Sequence, residues 1–213
     1  MSDIHPPSVP SSTHSAATTS DRIKQEALGC FLESGYEGAS MSEIARAVGI
    51  KTPSIYAHFK SKEQLFMELV HDVLRDEHLQ LSASIPLKEG QDAVGQLRAV
   101  YDLFTNLNQL TTGQAFLKRT MLVPPRHLKE ELQRLFLQYE TEYTDYLHTI
   151  MHRGPSGQAS LSQAEIDWMI AVFFAYTDGL LVEYQLYNEE LYEARKELLW
   201  EALLETWAAR EDG

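Results

Sequence analysis

The sequence predicts an all-α chain: an N-terminal three-helix helix-turn-helix unit, then a larger helical domain, about nine helices in all. Three observations carry this. Four consecutive helix starts between residues 20 and 66 come with matching caps, glycine stops and a proline in a first helical turn. Apolar residues then recur at three- and four-residue spacing through the rest of the chain. No segment shows strand alternation bounded by hairpin turns, and there is no internal repeat.

The elements follow in order. Ser20 or Asp21 is expected to cap a first helix whose face carries Ile23, Ala27, Cys30 and Phe31, with Gly35 as its left-handed stop. Ser40 and Glu43 form a capping box for the second helix, which Gly49 ends. Thr52 is placed to cap the third, with Pro53 at the first helical position, where its missing N–H costs nothing. Ser61 with Gln64 opens a long fourth helix to about Leu81. Loops at 86–90, 111–113, 124–125 and 154–157 divide the remainder. Ser162 and Glu165 cap a helix carrying Ile166, Met169, Ile170, Phe173, Thr177, Leu180, Leu181 and Tyr184. A last helix carries Leu191, Ala194, Leu198, Ala202 and Trp207.

At 213 residues and 44% hydrophobic, the chain can bury a core in a small domain and a larger one. Residues 1–20, mostly Ser, Thr, Pro and His, read as a disordered tail. Residues 21–66 form the helix-turn-helix domain and residues 67–213 the larger one. The fourth helix, beginning near residue 62, bridges them. No run approaches ~20 uninterrupted apolar residues, so neither a spanning helix nor a membrane partner is expected. The start of the chain lacks the basic and apolar runs of a secretory signal. The single cysteine, Cys30, reads as a small buried hydrophobe, and a cytoplasmic location is the expectation.

A net charge of −13 argues at first against a nucleic-acid partner, but its distribution reverses that. Residues 21–66 balance six basic side chains (Arg22, Lys24, Arg46, Lys51, Lys60 and Lys62) with six acidic ones. Residues 67–213 hold 12 basic and 24 acidic, a net of −12. The cations of the neutral segment sit mainly around one short helix, and an acidic body elsewhere would repel DNA and help fix orientation.

Within residues 41–59, Ile44 and Val48 can be buried from the second helix, Ile55 and Phe59 from the third, while Ile50 plugs the turn. Small Ala45 lets the two helices cross closely. Thr52, Ser54, Tyr56, Ala57 and His58 are left facing outward, flanked by Lys51, Lys60 and Lys62. Hydroxyls and imidazole can reach base edges or phosphates, a methyl can touch a thymine methyl, and lysines neutralise phosphate.

This segment resembles the tetracycline-repressor (TetR/AcrR) family of bacterial transcriptional regulators. The matching residues are Ile44, Ala45, Gly49, Ile50, Ile55, Tyr56, His58, Phe59, Ser61, Lys62, Glu63 and Leu65. The resemblance implies that the third helix enters the major groove, with Tyr56 and Lys62 each holding a phosphate. Thr52, Ser54, Ala57 and His58 are then the base-facing set. Ser40 and Ser42, at the start of the second helix, are further phosphate candidates. The resemblance also implies a homodimer through the last two helices. That would set two reading helices roughly 34–36 Å apart on a near-palindromic double-stranded operator. Three or four phosphate contacts per protomer give a salt slope of roughly −5 to −7 on log–log axes.

Ala171, Ala175 and Gly179 make a smooth stripe beside Phe174 and Tyr176 that suits such a dimer. Family members usually house a small-molecule effector in the later helices, and an apolar or aromatic one is expected here. Phe104, Phe116, Tyr139, Tyr143, Phe173 and Asp178 are the candidate contacts. Asp178 and Glu183, acidic within apolar stretches, could favour a cationic ligand.

The expectation is a dimeric repressor released from its operator by that effector. The alternatives of the same fold are an activator or a chromosome-organising protein. A metal-bound helical-bundle enzyme is weighed because His148 and His152 stand four apart on one helical face. Solvated surface histidines are the preferred explanation of that pair. No phosphate loop, nucleophile elbow or Cys–His set supports catalysis, so no enzyme activity, cofactor or metal is expected.

Overall fold

The computed structural model describes residues 18–84, 92–155 and 161–211. Among these the chain forms nine α-helices and no strand. They are α1 (Thr19–Gly38), α2 (Met41–Val48), α3 (Thr52–Ile55), α4 (Lys62–Ser84), α5 (Ala93–Thr105), α6 (Thr112–Leu122), α7 (Lys129–Met151), α8 (Gln163–Leu186) and α9 (Glu189–Glu211). The chain divides into two compact units, Met1–Phe66 and Met67–Gly213. Residues 1–17 of the expected tail and the expected loop at 86–90 lie outside the described residues.

In the first unit α1 starts earlier than its sequence suggests. Thr18 is the cap: its Oγ1 accepts from the Asp21 N–H at 3.2 Å, and the Asp21 carboxylate accepts from the Thr18 N–H at 2.9 Å. Asp21 is therefore the reciprocal partner in the box, and Thr19 and Ser20 are helical. Gly35 does break the helix, at φ 70° and ψ 177°, but helical turns resume as far as Gly38. The Ser40–Glu43 box opens α2, and Gly49 closes it in the left-handed region at φ 79°.

Lys51, not Thr52, caps α3. Pro53 consequently stands at the second helical position, still within the first turn, whose N–H groups have no helical partner. Helical bonding stops at Ile55, but the chain stays turned, with the His58 and Phe59 N–H groups both donating to Ile55 O at 3.0 Å. Ser61 Oγ accepts from Gln64 N at 3.0 Å to start α4, while Gln64 Oε1 reaches back to Lys60 N at 2.8 Å. Ile23, Ala27, Phe31, Ile44, Ala45, Val48, Ile55, Phe59 and Leu65 are buried, so the expected frame is in place. Cys30 is half-buried, and desolvation backed by Glu26, Glu33 and Glu43 raises its pKa, which keeps it a thiol.

In the second unit α8 packs against α5, α7 and α9. The core includes Leu97, Val100, Tyr101, Leu147, Ile150, Ile166, Met169, Phe173, Leu180, Leu203 and Trp207. Polar ties span it. Tyr101 donates to Lys196 O at 2.8 Å, Tyr192 to Thr105 O at 2.6 Å, and Arg98 forks onto the Glu197 carboxylate at 2.7 and 2.8 Å. The expected loop at 111–113 is instead the start of α6: Thr111 and Gln114 form a capping box, and Gly113 lies inside the helix. A Cβ at Gly113 would stand 3.0 Å from Val73 Cγ2, so the glycine permits close packing on α4. Leu191, Ala194 and Leu198 do not join the core with Trp207. They form an exposed stripe, while Tyr192, Trp200, Leu203 and Trp207 face inward.

Candidate nucleic-acid interface and ligand cavity

The helix-turn-helix divides its residues cleanly. Ile55 and Phe59 point into the core, and their neighbours necessarily point out. Lys51, Ser54, Ala57 and His58 are exposed, Thr52 is half-buried, and Tyr56 is 50% exposed, which rules out a core tyrosine. Pro53 and Lys60 share the exposed surface. The result is a small face carrying hydroxyls, an imidazole, a methyl and two ammonium groups, chemistry suited to base edges and phosphates.

Two cations have other work. The Lys62 ammonium donates to Tyr36 O at 2.6 Å and Ala39 O at 3.0 Å, and stands 4.3 Å from the centre of the Tyr36 ring. It thus closes the carbonyl end of α1 just beyond the Gly35 kink. Arg22 does the same for α2, donating to Val48 O at 2.7 Å. Sequence reasoning missed both clamps, since no local spacing links residues 23 or 26 apart. Arg46, Lys51 and Lys60 remain as exposed cations around the turn.

At the start of α2 the Ser40 hydroxyl is likewise engaged. It donates to Glu43 Oε2 at 2.7 Å and accepts from Glu43 N at 3.2 Å. The hydroxyl and the Ser40 N–H, which donates to the same carboxylate oxygen at 3.0 Å, hold the Glu43 carboxyl below its usual pKa, so a negative charge already occupies that helix end. Ser42, exposed and 3.0 Å from Ser40 Oγ, is the freer of the pair.

The second unit contains a cavity of about 930 Å³, part of it solvent at an open mouth. Phe104, Phe136, Tyr139, Tyr143 and Phe174 line it with Leu74, Leu103, Leu117, Met121, Thr177 and Leu181. Four charged side chains also reach it: Glu77, Lys118, Glu140 and Asp178. Burial raises the Glu77 pKa against the pull of Lys118 and Gln114. Burial also lowers the Lys118 pKa, and it raises that of Asp178 although this carboxylate sits exposed at the mouth. Glu77 and Lys118 escaped sequence reasoning because the wall is assembled from α4, α5, α6, α7 and α8, with no shared period.

Of the expected effector contacts, Phe104, Tyr139, Tyr143 and Asp178 line this cavity. Phe116 and Phe173 do not: they are 1% and 0% exposed, locked in the core. The register explains both. One residue further along each helix, about 100° around, Leu117 and Phe174 face the cavity instead. Phe174, also expected at a dimer interface, packs its ring against Phe104 and Phe173 at 6.0 and 5.6 Å. Glu183 is absent from the cavity wall and pairs with Arg195 at 2.5 Å. Ala171, Ala175 and Gly179 are exposed.

His148 Nε2 lies 2.7 Å from Gln163 Oε1, and its ring centre is 6.3 Å from that of His152. Among the described residues no three His, Cys, Asp or Glu side chains gather as a metal would require.

Residues 23–69 match the family described as bacterial regulatory proteins, tetR family. The biofilm operon icaADBC HTH-type negative transcriptional regulator IcaR of Staphylococcus aureus (strain Newman) is 40% identical over 50 residues, covering 24% of this chain and 27% of that protein. The chain thus aligns with about a quarter of the length of such curated relatives. Over nearly the whole chain the likeness is one of fold. The FadR regulator of Bacillus subtilis, solved in complex with stearoyl-CoA, superposes with TM-score 0.66 at 20% identity, covering 87% of this chain and 97% of its own. A TetR transcriptional regulator from Chloroflexus aurantiacus gives 0.63 at 20% identity, covering 88% and 92%. Residues 23–69 are thus similar to bacterial regulatory proteins of the tetR family, and they are set within a fold that solved regulators share along nearly the whole chain.

Proposed function

We propose that the chain is a dimeric, ligand-responsive DNA-binding regulator, a repressor that leaves a near-palindromic operator when a small molecule fills the cavity of the second unit. One observation carries the DNA reading: Ser54, Tyr56, Ala57 and His58 stand exposed between Lys51 and Lys60 while Ile55 and Phe59 anchor the turn from behind. The repressor assignment follows the likeness, over 50 residues, to IcaR, a negative transcriptional regulator. A dimer is supported by the apolar surface of α8 and α9, and a cytoplasmic site of action by DNA as the partner. Among the described residues no helix is long and apolar enough to cross a membrane.

α4 is the element through which a ligand acts. Its first residue, Lys62, closes the end of α1 in the first unit, and Leu74 and Glu77, later in the same helix, line the cavity of the second. A ligand that prefers one position of α4 shifts the population of DNA-competent dimers by its differential affinity. The stearoyl-CoA of the Bacillus subtilis structure is not carried over, because 20% identity conveys fold and this cavity has its own charges.

Selection of bound duplexes from a random pool tests the reading. Two half-sites 10–10.5 base pairs apart, centre to centre, are expected. Binding without sequence preference would favour the chromosome-organising alternative, and no binding would sink both. In titrations on the selected site, Arg46, Lys51 and Lys60 from two protomers give a salt slope of about −5. Lys51→Gln or Lys60→Gln is expected to reduce its magnitude by about 2, one unit per copy, and to weaken all sequences alike. Ser54→Ala or His58→Ala should instead change which bases are selected.

A further inference from the structure

We propose that the cavity of the second unit selects an organic cation with an aromatic or bulky apolar body, its positive charge held at the mouth by Asp178 and Glu140 over the aromatic wall. This deepens the effector reading above and rests on it. Five aromatic rings line the cavity, and the π-face of such rings attracts a desolvated cation. Three carboxylates, Glu77, Glu140 and Asp178, face a single cation, Lys118.

The position of Lys118 matters as much as the count. Its ammonium feels the fields of both Glu77 and Asp178, so it is the counter-charge of the buried carboxylate rather than a spare anchor for an anion. Glu77 is further held by Gln114. That leaves Asp178, only partly offset by Lys118, and Glu140, both exposed, as the carboxylates a ligand meets. Desolvation already disfavours the ionised form of Asp178, and an incoming cation relieves that cost. An anionic ligand of equal size would face a net negative lining, at a penalty in a low-dielectric site.

Tetraphenylphosphonium and tetraphenylborate, matched in shape and opposite in charge, separate the possibilities by calorimetry on the full chain. The phosphonium is expected to bind at least tenfold more tightly. Asp178→Asn and Glu140→Gln, made singly and together, should erode that preference, and Lys118→Gln should strengthen it. Both rim carboxylates are exposed, so neither variant threatens the fold, and helical circular dichroism checks this. Equal or tighter binding of the borate, phosphonium affinity unchanged by the rim variants, or no binding of either ion would each overturn the cation assignment. Operator binding without ligand is scored alongside. If the borate releases DNA, the effector reading stands and only the charge class falls; if the free protein never binds DNA, the regulator reading fails separately.

Discussion

Lys62→Met is expected to loosen the first unit by about 2–3 kcal/mol while leaving the salt slope of DNA binding unchanged. The family likeness makes Lys62 a phosphate anchor, and its neighbourhood gives it a second employment. Two carbonyls at the end of α1, Tyr36 O and Ala39 O, share its ammonium at 2.6 and 3.0 Å in a half-buried setting. Methionine keeps the length and apolar stem but leaves both carbonyls without the donor. The Tyr36 ring also loses its cation, while its contacts with Phe31 and Phe66 remain. Amide exchange across residues 23–66 reads the loss locally, as a fall in protection of roughly 30- to 150-fold. DNA affinity should drop because the reading turn is less well held, with the counterion count intact. A variant as well protected as the parent, whose salt slope falls by about 2, would return Lys62 to the phosphate.

That residue illustrates what the sequence could and could not tell. Helix starts were legible at some caps whose two members stand three residues apart, as Ser40 with Glu43 and Ser162 with Glu165 do, but not at Thr18 with Asp21. Thr111 with Gln114 carries the same signal and was masked by Gly113, whose helical position is explained by Val73 from another helix. The outward face of the turn was legible too, since burying Ile55 and Phe59 compels Tyr56 and His58 outward. Long-range partners were not legible. Nothing in the local pattern joins Lys62 to Tyr36, Arg22 to Val48, or Glu77 to Lys118. The cavity failed for a related reason: an aromatic count cannot tell Phe173 from Phe174, though one is core and the other wall.

The pair Leu186→Glu and Leu198→Glu is expected to convert the protein to a monomer and weaken operator binding by 100-fold or more, as a half-site loses its tethered partner. α8 is apolar on more than its inner side. Beyond its buried face, Trp168, Ala171, Ala175, Gly179, Val182 and Leu186 recur at three- and four-residue spacing, all exposed. On α9 the outward stripe is Leu191, Ala194 and Leu198, with Leu186 68% and Leu198 63% exposed. A helix apolar on both sides belongs in an interior, and this protomer supplies only half of one.

Gly179 adds an independent argument. A Cβ there meets nothing within 4 Å, so the protomer has no packing need for glycine in mid-helix. Its usual cost of about 1 kcal/mol relative to alanine is repaid if another backbone approaches closely at that point. Gly179→Ala should therefore raise the stability of the isolated protomer and yet weaken the dimer, two opposite signs that a solvent-facing glycine could not produce. Sedimentation measures assembly and denaturation at low concentration measures the protomer. A double leucine variant that still sediments as a dimer, or an alanine variant that dimerises more tightly, would move the interface off this face.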